Sequence, residues 1–363
     1  MIINVVSQFD HSGTGKFARA ITQGLSARAG FSHKVRAVNT QDMRGIDSFL
    51  QRKPAGPQTS IFLWPLVPPD FRPIFDLSGV KILWSVFEND RLPSQWLADY
   101  PRFDEIWVPS AWGRSVLINH GLDPQKIIVM PEGVETSRYR HAPQAHDGIR
   151  FLMVGKYEVR KSIDETIAAF QQAFPSPSDK VELWLKVDHP MFPDRAPKLA
   201  QKWDHDKRIK FITGLIPEAE MSAFYNQADA LVFPSKAEGF GLPCLEAIAC
   251  GLPVIATNYS GHAQFLSAMP DDFIPVKYQM ADIDDPDVRL FYERDYAGEP
   301  FGQWAVPDPA SLVAALREFF EHSADWRARA IKASAQVGPA FDWNMIASRA
   351  LGHLTGGLSR IAG

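Results

Sequence analysis

Glu238 and Glu246 lie eight positions apart in the run Pro234-Ser-Lys-Ala-Glu-Gly-Phe-Gly-Leu-Pro-Cys-Leu-Glu-Ala-Ile-Ala-Cys-Gly-Leu-Pro-Val-Ile-Ala256. The first carboxylate falls in a glycine-rich loop, where backbone amides are free to face a ligand. The second falls about two turns along the helix that follows. The chain then returns through Gly251-Leu-Pro to an apolar strand. Loop carboxylates and helix glutamates ordinarily face water. Here the small and apolar neighbours Phe240, Leu242, Leu245, Ala247 and Ile248 disfavour that reading. A carboxylate that reads sugar hydroxyls, beside amides that hold phosphate, is the chemistry this layout points to. Paired carboxylates also serve hydrolysis as general acid and base, but no glycosidase-like context accompanies these two.

Two further stretches carry charge or glycine where a strand ends. Gly155-Lys-Tyr-Glu-Val-Arg-Lys-Ser162 follows a predicted strand and precedes a helix, so Lys156 and Lys161, with Arg160 beside them, gather at a helix start. Cations there oppose the helix dipole, which is tolerated where a phosphate sits between them; a solvated surface cluster is the competing reading. Ser12-Gly-Thr-Gly-Lys16 follows the first strand and opens a helix. Exposed helix amides favour an anion, but Gly13 and Gly15 alone equally describe a tight turn. The third glycine of a dinucleotide fingerprint is missing and Lys16 comes too early for a P-loop, which argues against a dehydrogenase or P-loop enzyme. Asp282-Ile-Asp284 has the spacing of a metal-binding pair but falls in a polar excursion, residues 281–303, and reads as a solvated loop.

The elements that must position these residues alternate along the chain. Strands are expected at residues 2–6, 60–63, 81–85, 105–108 and 126–130, with helices at 15–27 and 111–120. After a stretch without apolar periodicity near 131–149 the pattern restarts. Strands follow at 150–154, 181–187, 209–211, 230–233, 254–256 and 273–276, and helices at 163–174, 218–227, 242–249 and 309–322. Such alternation predicts a parallel sheet covered on both faces, twice over. The four prolines within residues 65–73 read as an ordered surface loop. In folds of this class ligands bind beyond the carboxyl ends of the strands, where every motif above falls.

At 363 residues the chain is too long for one core, so two domains are expected. The net charge of −4 argues against general nucleic-acid binding. Residues 1–150 carry 17 Lys or Arg against 14 Asp or Glu, and the remainder 21 against 28; a mildly basic first half leaves room for an anionic acceptor or membrane surface, although scattered surface charge describes it as well. Cys244 and Cys250, six apart on one predicted helix, read as core thiols of a reducing compartment. The opening Met1-Ile-Ile-Asn-Val-Val-Ser reads as a strand, not a signal peptide, and no apolar run is long enough to span a bilayer. Any membrane contact is therefore expected to be peripheral.

The ordered set of motifs resembles the retaining GT-B glycosyltransferases of family 4 (glycosyl transferases group 1). Residues 230–266 carry that family's Glu-x7-Glu spacing, its Glu238-Gly-Phe-Gly241 loop and the Gly-Leu-Pro-Val-Ile-Ala return. Lys156 and Lys161 match its basic pair in Gly-Arg-x4-Lys-Gly, with Lys for Arg at 156 and Ser for Gly at 162. Lys gives up bidentate phosphate recognition. Pro131-Glu-Gly-Val-Glu135, Val108-Pro-Ser-Ala-Trp112 and Trp84-Ser-Val-Phe-Glu-Asn-Asp-Arg-Leu-Pro93 also fit, whereas Tyr259-Ser-Gly-His-Ala-Gln264 departs from the usual Gly-Gly-x-x-Glu.

The resemblance implies a GT-B architecture: two Rossmann-like, doubly wound parallel-sheet domains facing across a cleft. It sets an acceptor-side domain at 1–140, a nucleotide-sugar-binding domain at 141–335, and a C-terminal helix at 336–363 returning to the first. It implies a retaining, metal-independent hexosyltransferase using a GDP- or UDP-linked sugar and a glycan or lipid-linked saccharide acceptor, in surface polysaccharide or glycoconjugate biosynthesis. No cofactor or metal is expected, and the location is cytoplasmic, with peripheral contact at the inner membrane face allowed for. Lys156 and Lys161 would neutralise the diphosphate, Glu246 hold the ribose and Glu238 contact the transferred sugar. Gly239, Phe240, Gly241 and Leu242 would complete the donor loop. Gly13, Thr14 and Gly15 would approach the diphosphate, and Leu215 and Ile216 flank the base. Glu88, Asn89 and Ser110 would lie on the acceptor side, Glu88 occupying the loop where the family commonly has a histidine. His262 and Gln264 are weaker candidates. The alternatives are a non-catalytic nucleotide-sugar or glycan-binding module on the same architecture and a sugar-nucleotide epimerase.

Overall fold

A computed structural model of the chain describes residues 1–10, 12–30, 33–41, 49–51, 57–64, 69–188, 192–296 and 298–361. Six strands form the first sheet: β1 (Ile2–Ser7), β2 (Lys34–Asn39), β3 (Gln58–Phe62), β4 (Val80–Trp84), β5 (Glu105–Val108) and β6 (Ile127–Val129). They pair in parallel in the order β2-β1-β3-β4-β5-β6. The second sheet is built from β7 (Ile149–Lys156), β8 (Val181–Asp188), β9 (Ile209–Ile212), β10 (Ala230–Phe233), β11 (Val254–Thr257) and β12 (Ile274–Val276). It too is parallel, in the order β12-β11-β10-β7-β8-β9. Counted from its own first strand, this is the doubly wound order 3-2-1-4-5-6, in which the winding reverses between β7 and β10.

β10 and β11, inside the second sheet, are nearly continuous apolar runs buried at every position. In the first sheet the fully buried Trp84 and Trp107 meet edge to face with ring centroids 5.1 Å apart, and Phe17 packs on Trp84 at 4.7 Å. The second core gathers Phe151, Phe170, Phe174, Leu183, Val232, Ile255 and Phe319.

Two units separate by contact. The first comprises Met1–Gly133, Gly298–Pro300 and Phe341–Gly363; the second comprises Val134–Ala297 and Phe301–Ala340. The last helix, Trp343–Ile361, lies on the first helix, Gly13–Arg28, within the first unit: Trp343 stacks on Phe17 at 5.5 Å, and Arg28 bonds Asn344 and Ser348. Gly24 makes this approach possible, since a Cβ there would meet the Ala347 methyl at 2.7 Å.

The structure corrects several expectations. The edge strand β2, Lys-Val-Arg-Ala-Val-Asn, mixes cations with small apolar residues, buries one position and was not expected. Residues 65–68 lie outside the described part, and the rest of the expected proline loop is a 3-10 helix, Pro69–Asp76. Residues 281–303 are not a plain excursion. They continue β13 (Tyr278–Asp282), hold the helix Pro286–Asp295 and enter β14 (Gln303–Pro307), which pairs antiparallel with β13. Asp282 thus ends a strand, where it bonds Gln303, and Asp284 pairs with Arg289. Cys244 lies on the helix Leu242–Ala249, while Cys250 is its C-cap; both thiols are free and buried.

Candidate active site

Two of the residues singled out for chemistry in the second unit, Glu238 and Lys161, meet where β7 and β10 run side by side, at the reversal of the winding. β7 leads through Gly155 into a short 3-10 turn, Val159–Lys161, and then into the helix Ile163–Ala173. β10 leads into the loop that carries Lys236 and Glu238. The two loops are stitched by the Lys236 amide, which donates to the Arg160 carbonyl at 2.8 Å.

Glu238 is buried between two cations. Lys161 Nζ lies 2.5 Å from its Oε1 and Arg160 Nη1 3.2 Å from its Oε2. The same Nη1 donates to the Ala237 carbonyl at 2.6 Å, and Nη2 donates to Glu158 at 2.9 Å. Burial pushes the Glu238 carboxyl up, but Lys161 and Arg160 outweigh it and hold the group at about 2. Glu158 follows the same logic: burial raises it, and Arg160, Lys156 and Lys161 bring it below the ordinary range.

This geometry divides the expected lysine pair. Lys161 joins Glu238, but Lys156 does not; its side chain is 54% exposed and its Nζ lies 3.8 Å from Glu158. The second cation on Glu238 is Arg160, which sequence reasoning noted only as a neighbour. Nor are the cations unbalanced at a helix start. The first turn of Ile163–Ala173 carries Asp164 and Glu165, which pair with Lys202 and Lys236.

The Glu238 loop is braced from below. Its backbone amide is not free, as the sequence reading had it, but donates to Ser260 Oγ at 2.8 Å, and the Gly261 amide donates to the Glu238 carbonyl at 2.9 Å. A Cβ on Gly261 would fall 2.1 Å from the Gly239 oxygen, so only glycine fits. Ser162 and Ser260, at the two positions where the sequence departs from glycine, are the only described non-glycine residues with positive φ, at 56° and 59°. The departures therefore retain the left-handed backbone and carry its strain.

His262 is fully buried. Its Nε2 faces the Thr257 carbonyl at 2.7 Å and so carries the proton, and burial pushes its pKa down to about 4. It packs edge-on against Phe233 at 5.4 Å, and a Cβ on Gly241 would press on it at 2.9 Å. This is a packing histidine, neutral at ordinary pH. Gln264, two positions on, is half-buried.

Glu246 is also buried, and its Oε2 accepts the Tyr225 hydroxyl at 2.9 Å. Burial and the Glu246 charge drive the Tyr225 pKa well up. Phe240 is buried against Phe265 at 5.4 Å, Gly239 and Gly241 are buried, and Leu242 is half-buried at the head of its helix. After β9, Gly214 at φ 88° donates to Asp188 at 3.1 Å and leaves Leu215 76% exposed, with Ile216 half-buried.

In the first unit the expected residues also follow strand ends. Gly13 and Thr14 are exposed beyond β1, whereas Gly15 is buried on Asp10, whose carbonyl oxygen a Cβ would meet at 2.1 Å. Ser12 Oγ caps the helix by accepting the Gly15 amide at 3.1 Å, and Asp10 accepts the Ser12 amide at 2.9 Å. Asp10 thus shapes this turn, and Gly15 answers to it rather than to an approaching ligand. Glu88 and Asn89 are half-buried after β4. Ser110 is buried, and its hydroxyl caps the helix Ala111–Asn119 through the Gly113 amide at 3.1 Å. Among the described residues no cluster of three or more His, Cys, Asp or Glu is placed to hold a metal ion, and no helix is long and apolar enough to cross a membrane.

Residues 137–283 match the family described as "Glycosyl transferases group 1". The chain is 30% identical over 157 residues, 41% of its length, to the serotype-specific mannosyltransferase WbdA of Escherichia coli. It spans between 18% and 38% of the length of the first curated relatives it matches. Among solved structures it superimposes on sucrose-phosphate synthase from Thermosynechococcus elongatus with a TM-score of 0.74 at 18% identity, covering 99% of this chain and 100% of that one. It superimposes on Anabaena HepE, solved in complex with UDP-glucose, with a TM-score of 0.70 at 13% identity, covering 98% and 100%. The structural likenesses show the fold, the two-domain α/β GT-B architecture. Together the matches support a group 1 glycosyltransferase.

Proposed function

We propose that the chain is a retaining hexosyltransferase that moves a sugar from a GDP- or UDP-linked donor to a glycan or lipid-linked saccharide acceptor, in surface polysaccharide or glycoconjugate assembly. The observation that carries this is the buried Glu238 carboxylate flanked by Lys161 and Arg160 at the reversal of a doubly wound sheet, the place where such folds bind nucleotides. The likeness to a UDP-glucose complex and to a mannosyltransferase supports the donor class.

In this reading Lys161, with Lys156 at the rim, meets the diphosphate. Glu246 holds the ribose, Leu215 and Ile216 flank the base, and Glu238 orients the transferred hexose. The bond from the anomeric carbon to the diphosphate breaks and a bond to the acceptor oxygen forms on the same face; the acceptor proton goes to a diphosphate oxygen. The chain's own cations and amides stabilise the leaving charge, so this reading calls for no metal. The acceptor side lies in the first unit, near Glu88 and Asn89. The enzyme would work in the cytoplasm, with the acceptor bringing it to the membrane face.

A thermal-shift screen of UDP, GDP and ADP and their hexose conjugates tests this. One nucleotide diphosphate should stabilise the chain, and its sugar conjugate should be slowly hydrolysed to free nucleotide diphosphate. Stabilisation by none of them would overturn the reading; binding without hydrolysis or transfer would reduce the chain to a binding module.

A further inference from the structure

Lys161 and Arg160 hold opposite oxygens of one carboxylate, but they are held differently themselves. Lys161 reaches Glu238 Oε1 with a single-point ammonium on a flexible stem. The stem passes over Gly155, where a Cβ would lie 3.4 Å from its carbons. The Arg160 guanidinium is fixed on three sides, by Glu238, the Ala237 carbonyl and Glu158. A planar fork tied at both ends does not swing. Moreover, Lys161 is engaged: with Nζ 2.5 Å from a carboxylate oxygen, its charge is already met by Glu238, and a phosphate has to compete for it.

Building on the donor reading above, we infer that Lys161 and Glu238 form a resting pair which the donor diphosphate breaks, Lys161 passing to the phosphate while Arg160 keeps Glu238 placed and neutralised for the sugar. Glu238 is 4% exposed. Stripped of every cation it would be an unpaired buried charge, among the costliest arrangements a protein can hold. Arg160 removes that obstacle, so the exchange swaps one anion for another on Lys161. Arg160 is then a positioning residue, and Glu238 competes with the donor until the donor arrives.

The test is calorimetric titration of the full chain with UDP, GDP and ADP. Glu238→Gln should bind the preferred nucleotide diphosphate about tenfold more tightly, a single charged competitor's worth, while hexose transfer is lost. Glu158→Gln, a neighbouring carboxylate that bonds Arg160 and lies 3.8 Å from Lys156, should gain far less. Equal gains in the two variants would mean a general field effect and would overturn the exchange. So would unchanged or weaker binding by Glu238→Gln. Arg160→Lys keeps the charge but loses the fork, leaving Glu238 more dependent on Lys161. It should bind nucleotide diphosphate severalfold more weakly and recover in the double variant with Glu238→Gln. This arm stands if Glu238→Gln fails to fold, and undiminished binding by Arg160→Lys overturns the exchange. A wild-type chain that binds none of the three nucleotides overturns the donor reading and the exchange together; wild-type binding that the variants leave unmoved overturns the exchange only.

Discussion

The Tyr225 hydroxyl donates to Glu246 Oε2 at 2.9 Å, fastening the helix Glu218–Tyr225 to the helix Leu242–Ala249. Both groups are buried, so the bond fixes which way the proposed ribose carboxylate points. Tyr225→Phe leaves that carboxylate short of a donor and should destabilise the fold by about 1–3 kcal/mol. It should also raise donor KM more than it lowers kcat, because a ribose contact acts on ground and transition states alike. Steady-state kinetics with urea unfolding checks both; an unchanged donor KM would remove the ribose assignment.

Lys161→Ala should cut turnover strongly and weaken nucleotide-diphosphate binding, since the phosphate loses its buried cation. Lys156→Ala should do much less, because its ammonium is half in solvent and screened. Similar losses in the two variants would contradict the division of labour read from their burial.

Acid should unfold the chain through two separate windows. His262 is depressed from 6.5 to about 4, so the unfolded chain takes up this proton first, and stability present above pH 6.5 declines as pH falls towards 4. Glu238 is depressed from 4.5 to about 2, so its contribution, on the order of 3 kcal/mol, is present above pH 4.5 and drains as pH falls towards 2. Urea titrations across pH should show the upper slope flattened in His262→Gln. A slope indifferent to that substitution would mean the histidine is not buried as found.

The two left-handed serines should respond in opposite ways to glycine. Ser162 Oγ is buried and makes no hydrogen bond among the described residues, so Ser162→Gly only relieves backbone strain and should stabilise by up to about 1 kcal/mol. Ser260 Oγ accepts the Glu238 amide, so Ser260→Gly gives up a bond beneath the site as well as the strain. It should lower turnover without a matching gain in melting temperature. Equal melting shifts in the two variants would count against the bracing role.

Transfer should persist in EDTA. Loss of activity on chelation, restored by Mn²⁺, would mean that the diphosphate charge is met by a metal and not by the chain's own cations.

Much of the architecture was legible because it rests on short-range chemistry. Apolar runs broken by amphipathic stretches specify strands and helices whatever their partners. The runs at 105–108 and 230–233 matched β5 and β10 residue for residue, because each holds at least three consecutive apolar residues and is closed by a proline. Gly241 and Gly251 marked turns that only a left-handed backbone closes. β2 and the β13–β14 hairpin were not legible, since charged or half-exposed strands are chosen by the neighbour they pair with.

The site divides along the same line. The residue types and their order fixed that a carboxylate would follow β10, that cations would follow β7, and that both would stand at carboxyl ends of parallel strands. Only the winding order set β7 beside β10. That adjacency put Arg160 rather than Lys156 on Glu238 and turned Lys161 from a free cation into a paired one, while β11 on the other side of β10 spent the Glu238 amide on Ser260. Pairing between residues 77 positions apart depends on where two loops meet in space, and no local preference of either loop encodes that.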